Sequence, residues 1–286
     1  LRDVDFRPEP NQNDRGMWQT FKGMPPHELP RVFAQGLATD LDNIRAGKTL
    51  TVKVGKEQRG RPVFVMRHIE PDMVGGFVRF GHERGATLND LFLTGFLRAL
   101  IRFENWDGKT AVRLAGTVDL RRFLPPGTEA GISNLSSFVF VNLGRDPGRD
   151  FLETLEKVKA RVDWLKENSI GLDMHAYYRV ASMGIPFGIT HRFMRRAQRF
   201  QIENHNFPPS FTNLGPIDRS RLTFGERSAT AAFCVPPATH PPSFAMGMSG
   251  DGKRLTLGAG FFESAIERSK IEDFFEMIVE EIPLAL

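Results

Sequence analysis

Cysteine is nearly absent: Cys234 is the only one in 286 residues. No disulfide can form within the chain, and zinc sites built on cysteine pairs are excluded. The seven histidines are scattered, with no HExxH and no ligand pair at zinc-finger spacing. No GxGxxG or Walker-type glycine loop is present, so the common phosphate cradles of nucleotide enzymes are missing. No GxSxG elbow occurs, which argues against a serine hydrolase of the α/β type. No apolar run reaches the roughly 18 residues of a membrane span, and the start lacks a basic-then-apolar leader pattern. The expectation is a soluble, cytoplasmic protein in a reducing compartment, with no metal and no covalently bound cofactor.

What is present is ordinary globular composition, 41% hydrophobic and 25% charged, in a chain long enough for a sizeable core. The charge balance is 38 − 34 = +4. Such an excess usually means a solvated surface; its sharper meaning is a docking face for a phosphate or an acidic carrier. Aromatics are not interleaved with the charges as in a stacking platform, so nucleic acid is not an expected partner.

Along the chain, Leu1–Gly16 is rich in Pro, Asn and charge and reads as linker. The chain begins at Leu1, not at methionine, and is expected to be a piece of a longer protein. Leu29–Arg45 reads as a helix on Val32, Leu37, Leu41 and Ile44. Leu50–Val54 and Pro62–Ile69 read as strands joined by a turn at Gln58–Gly60, and Pro71–His82 as a helix. Thr87, with Asp90 three residues on, predicts a capped helix over Leu88–Arg102, buried on a broad face. Ala111–Leu120 and Ser136–Leu143 read as strands. Arg149–Glu167 is amphipathic, with Phe151, Leu155, Val158, Val162 and Leu165 inward. Leu172–Ile202 is helical in pattern and broken at Gly184–Pro186–Gly188. Ser210–Leu214, Ala229–Val235, Ser243–Ser249 and Arg254–Gly260 read as strands. A last helix, Ser269–Ile282, carries Ile271, Phe274, Phe275 and Ile278 inward. Interleaved strands and helices predict an α/β layered domain.

One HxxxD pair occurs, His68 and Asp72, but no glycine follows the aspartate and four-residue matches arise often by chance. The run Gly85-Ala-Thr-Leu-Asn-Asp, followed by an apolar stretch ending Ala99-Leu100, says more. It resembles the "G-x-T-x-N-D" helix of the chloramphenicol-acetyltransferase-like superfamily, which includes nonribosomal-peptide condensation domains, wax-ester synthases and polyketide-associated acyltransferases. Further pieces follow in order. Val118-Asp-Leu-Arg121 resembles the "V-D-L-R" strand. Asn134–Asn142, with Phe138 and Phe140, resembles the next strand. Thr212-Asn-Leu-Gly215 resembles "S-N-L-G", and Gly252–Leu257 with the last helix resembles the closing elements.

The resemblance spans about residues 16–286 and matches only the second of the family's two lobes. It implies a mixed-sheet sandwich, the C-terminal lobe of a chloramphenicol-acetyltransferase-like fold. Residues 1–47 would be the linker and connecting helix from a first lobe, and 48–286 the lobe itself. The family's catalytic HHxxxDG belongs to the first lobe and is absent here, so no catalytic residue is assigned. The resemblance implies an acyltransferase or condensation-type protein using a thioester of coenzyme A or of a phosphopantetheinyl carrier protein as co-substrate. The alternative is a non-catalytic interaction module, working as a dimer or with a separate first-lobe subunit.

The carried-over positions have two readings each. By the resemblance Arg121 either braces the lobe interface, its planar fork pairing with the motif aspartate of the first lobe, or is a surface arginine ending a strand, with Asp119 beside it as a simple ion-pair partner. Asn134 is a tunnel or lobe-interface candidate by the resemblance, and Asn213 and Gly215 either line the tunnel or turn the chain into Pro216. Arg192, Arg195, Arg196 and Arg199 share one helix face at i, i+3, i+4 and i+7 and either dock a carrier or coenzyme phosphates or face solvent.

Overall fold

The computed structural model describes residues 12–55, 60–181, 183–252 and 254–284. Most of the expected linker, residues 1–11, and Gln58 and Arg59 of the expected turn lie outside them. In chain order the elements are α1 (Leu29–Arg45), β1 (Pro62–Ile69), α2 (Pro71–Glu83), α3 (Leu88–Phe103), β2 (Arg113–Asp119), β3 (Ser136–Asn142), α4 (Phe151–Glu167), α5 (Leu172–Ala181), α6 (Phe187–Glu203), β4 (Ser210–Pro216), β5 (Thr223–Phe224), β6 (Arg227–Ser228), β7 (Ala245–Gly250), β8 (Leu255–Phe262) and α7 (Arg268–Glu281). No helix among the described residues is long and apolar enough to cross a membrane.

Six strands form one mixed sheet in the order β1-β8-β7-β4-β2-β3. β4 runs parallel to β2 and β7, and the other pairs are antiparallel. β5 and β6 form a separate hairpin. Helix α3 lies at the centre of the helical layer. Its capping box is complete: the Asp90 amide donates to Thr87 Oγ1 at 3.2 Å, and the Thr87 amide donates to Asp90 Oδ2 at 2.9 Å. Such a cap satisfies donors that a helix start otherwise leaves unbonded. Leu91, Phe92, Phe96, Leu97 and Leu100 are all fully buried, against α4, α7 and the sheet. α4 and α7 bury the stripes their periodicity predicts, with Asp150 capping α4 through the Glu153 amide.

Two expected strands do not form. Residues 50–54 join no ladder, because their donors go elsewhere: the Leu50 amide to the Ala111 carbonyl, the Lys53 amide to Glu104 Oε1, and the Gly55 amide to the Ala265 carbonyl. Residues 229–235 are not a strand either. This stretch runs on into a strap, residues 234–238, that crosses the helix-free side of the sheet. The Cys234 amide donates to Ser249 Oγ, and Val235, Pro236 and Pro237 sit against Gly247, Gly258 and Gly260. A Cβ on Gly260 would lie 2.6 Å from the Pro236 carbonyl oxygen, so only glycine admits the strap there.

Helix α1 also turns a different face inward than its apolar residues suggest. Val32, Gly36 and Asn43 are buried, whereas Leu37, Leu41 and Ile44 are exposed. The reason is α5, which crosses so closely that a Cβ on Gly36 would meet the Asp173 carbonyl oxygen at 2.2 Å. Val32 joins Leu120, Leu135, Leu172 and Ala176 in a second, smaller core.

His175 of α5 is buried beside this core, its ring stacked on Phe21 at 5.7 Å. Burial pushes its pKa down; a hydrogen bond to the Met17 backbone opposes that, and the Arg179 charge adds to it. The folded state therefore binds this proton less tightly than the unfolded chain, whose imidazole has the ordinary value of 6.5. Stability from this residue is present above that pH and is lost as pH falls toward the depressed folded value. Asp173 has its pKa raised, by burial first, and contributes the opposite slope. His175→Phe is expected to reduce the stability lost between about pH 7 and pH 5. Urea denaturation of both proteins across that range checks this; parallel curves would contradict it.

Candidate functional site

The C-terminal ends of the parallel strands β2, β4 and β7 lie at one edge of the sheet, and the N-terminus of α3 meets them there. At that edge β4 slips register between Asn213 and Pro216, a bulge that takes the chain out of the ladder. Gly215 sits at φ +70, a left-handed conformation that favours glycine. Asn213 holds both sides of the bulge: its Oδ1 accepts from the Gly215 amide at 2.9 Å, and its Nδ2 donates to Asn89 Oδ1 at 3.2 Å. Asn213 thus turns the chain and also ties β4 to the start of α3. The "T-x-N-D" and "N-L-G" pieces, more than a hundred residues apart in sequence, meet at one hydrogen bond.

Arg121 follows β2 at the same edge. Its Nη1 donates to Asp119 Oδ1 at 3.0 Å and its Nη2 to the Ser133 carbonyl at 2.9 Å. The fork is spent on its own strand end and on the loop leading to β3, and the side chain stays about half exposed. Asn134 holds the entry to β3: its Oδ1 accepts from the Ser136 amide at 3.1 Å and from Ser136 Oγ at 2.5 Å. An open hollow beside the bulge is lined by Ile217, Asp218, Arg219, Ser228 and Asp251.

His68 lies at the far side of the sheet. Edge strand β1 is three strand spacings from β4, roughly 14 Å at about 4.8 Å each. Its Nδ1 is 3.0 Å from Thr256 Oγ1, and its ring packs edge-on to Phe233 of the segment entering the strap. Those contacts give His68 a structural role in seating the strap. Among the described residues, no histidine is hydrogen-bonded to Asn89, Arg121, Asn134 or Asn213.

Arg192, Arg195, Arg196 and Arg199 do not join this edge. They lie on α6, which packs closely against no other helix or strand of the described residues. All four are exposed, and none pairs with a carboxylate among the described residues.

Sequence reasoning finds in this segment only the Thr87–Asp90 cap and so misses the Asn89–Asn213 tie. It also missed the strap, although a signal was available. Gly247 and Ser249, and Gly258 and Gly260, repeat at period two opposite the large residues Met246, Met248, Leu257 and Phe261. A strand face of small residues marks a close backbone approach.

No family model matches the sequence, and no curated protein matches it. Solved structures do. The TRI3 trichothecene 15-O-acetyltransferase from Fusarium sporotrichioides superposes with a TM-score of 0.68 at 13% identity, over 88% of this chain and 52% of that one. The epimerization domain from the third module of tyrocidine synthetase B gives 0.63 at 15% identity, over 96% and 59%. The EpoB cyclization-docking bidomain from Sorangium cellulosum gives 0.59 at 12% identity, over 87% and 48%. The chain spans about half the length of these structures. By its six-stranded mixed sheet, its helical layer and these superpositions, the chain has the chloramphenicol-acetyltransferase-like fold of condensation-type domains.

Proposed function

We propose that this chain is the C-terminal lobe of a condensation-type acyltransferase and supplies one wall of its site. The observation that carries the reading is the Asn89–Asn213 tie at the sheet edge. It brings two of the family-like pieces of sequence together at an edge that offers amide groups and an arginine and, among the described residues, no histidine hydrogen-bonded to them. The match to about half of each solved neighbour supports a partner lobe, in the same chain or in another subunit.

In the proposed reaction a hydroxyl or amine attacks the carbonyl carbon of an acyl thioester. The C–O or C–N bond forms, and the C–S bond breaks. The nucleophile's proton passes to a histidine on the partner lobe and from there to the departing thiolate, so no oxidant or further reactant is required. Donors must also meet the oxyanion. Here the chain's part is to shape the wall and hold the acceptor or the pantetheine arm near Asn213 and Gly215. The donor is a thioester of coenzyme A or of a carrier protein.

The test is thiol release from acyl-coenzyme A and from an acylated carrier protein, measured on the lobe together with an HHxxxDG-bearing first lobe. Turnover is expected, and Asn213→Ala, which frees the bulge, is expected to lower it about tenfold or more, the scale of a misplaced wall. Binding of the two lobes with no turnover toward either donor would favour an interaction module of the same fold.

A further inference from the structure

Helix α6 is unlike the other long helices of the protein, because none of its residues is buried. Phe187 is 82% exposed, Phe193 69% and Ile189 61%, and Met194 and Phe200 are exposed beside them. At about 3.6 residues per turn, these side chains share one side of the helix. Arg192, Arg195, Arg196 and Arg199 fill the adjoining arc of roughly 100°. The loop that follows the helix ties its C-terminal end to the body of the protein: the His205 carbonyl accepts from the Thr49 amide at 2.8 Å, and Asn206 Nδ2 donates to the Asn43 carbonyl at 2.9 Å.

We propose that α6 is a membrane-surface helix that lies in the interface of an anionic bilayer. Aromatic and aliphatic side chains on one side, with arginines along the border, are what an in-plane helix requires: the first enter the acyl boundary and the second meet lipid phosphates. Charge selects this occupant over a purely apolar one. Four guanidiniums without carboxylate partners among the described residues border the strip, so an occupant that is apolar and acidic together fits it. The exposed stripe of α1, Leu37, Leu41 and Ile44, lacks this property, since Arg45 pairs with Asp42 and Asp40 lies beside it, whereas the one carboxylate of α6, Glu203, pairs with none of its four arginines among the described residues. An acyltransferase seated this way would take long-chain donors or acceptors from the bilayer, a consequence that rests on the reading above; the docking itself does not.

The experiment is co-sedimentation of the protein with phosphatidylcholine/phosphatidylglycerol vesicles and with pure phosphatidylcholine vesicles. Binding to the first, weak binding to the second and release by salt are expected. Each arginine near an anionic surface contributes about fivefold to partition, so Arg195→Gln/Arg196→Gln is expected to weaken it about 25-fold. Phe193→Ser/Phe200→Ser is expected to weaken it as well, and because all four sites are exposed, circular dichroism should be unchanged in both variants. Amide exchange in α6 should slow only with vesicles present. No binding to the anionic vesicles at low salt overturns the proposal, as does binding indifferent to both variants. So does α6 protection without vesicles, which would mean that another protein segment covers the face. Arginine-dependent capture of an acidic carrier protein without vesicle binding would assign the face to that carrier instead. Thiol release is not read in any arm, so failure here leaves the acyl-transfer reading standing.

Discussion

Replacing Arg113 with methionine is expected to destabilise the protein by about 3–5 kcal/mol. Arg113 opens β2, yet it is only 1% exposed. Its Nε donates to Thr49 Oγ1 at 2.8 Å, its Nη1 to the Asn43 carbonyl at 3.0 Å, and its Nη2 makes a short contact with Asn206 Oδ1. Burial pulls its pKa down to about 10, so it remains charged at neutral pH. No carboxylate offsets that charge among the described residues; neutral oxygens carry it. The guanidinium is therefore the shared donor for the end of α1, the residue before Leu50 and the loop between α6 and β4. Methionine fills the volume but takes a charged donor from three buried oxygens, of which the Asn43 carbonyl keeps its bond from Asn206 Nδ2; each lost bond costs roughly 1–3 kcal/mol. Lysine keeps the charge but lacks the planar fork, so Arg113→Lys is expected to recover only part of the loss. Thermal unfolding reports this directly, with a drop in Tm of about 6–12 °C for methionine. A methionine variant within about 1 kcal/mol of the parent would mean that the three oxygens find other donors.

A loss of similar size, about 3–5 kcal/mol, is expected for Phe274→Ala on α7. Phe274 is fully buried and meets Phe96 of α3 edge to face, with ring centroids 5.2 Å apart. Phe103 lies at 5.2 Å and Phe244 at 6.0 Å. One ring thus joins α7, the C-terminal half of α3 and the segment entering β7. Removing it opens a cavity between helices that cannot close, because α3 and α7 already touch at Gly95, where a Cβ would meet the Ile278 carbonyl oxygen at 2.9 Å. Phe274→Leu refills most of that volume and is expected to cost less than about 1.5 kcal/mol. Chemical denaturation of the two variants separates volume from ring geometry: if leucine is as damaging as alanine, the edge-to-face contacts and not the filled space hold the helices.

These two sites mark the limits of what could be read from the residues alone. Phe274 was legible, because it belongs to a periodic stripe at a helix spacing, and the same signal located α3, α4 and α7. Arg113 was not, because an arginine at a strand start looks the same in sequence whether it meets water or three buried oxygens. Its burial depends on Asn43, Thr49 and Asn206, which only the folded chain collects. Residues 50–54 and 229–235 failed for a related reason. Their composition favours strands, but ladder formation needs a neighbour, and their amides bond to side chains and loops. The apolar face of α1 misled because Gly36, not a leucine, marks the side where α5 comes close. At the candidate site, motif order was legible and the fold it implied is present. The contact between Asn89 and Asn213 was not, since nothing local says that a helix cap and a strand bulge will meet.

The proposed function makes a definite prediction about the isolated chain. Thiol release from an acyl thioester, followed for these 286 residues alone and for the His68→Ala variant, tests it most directly. The account predicts no release above the buffer rate in either, because His68 seats the strap roughly 14 Å from Asn213 and the proposed reaction draws its base from a partner lobe. Release by the chain alone that disappears in His68→Ala would contradict it, and would place the catalytic base at the β1 edge.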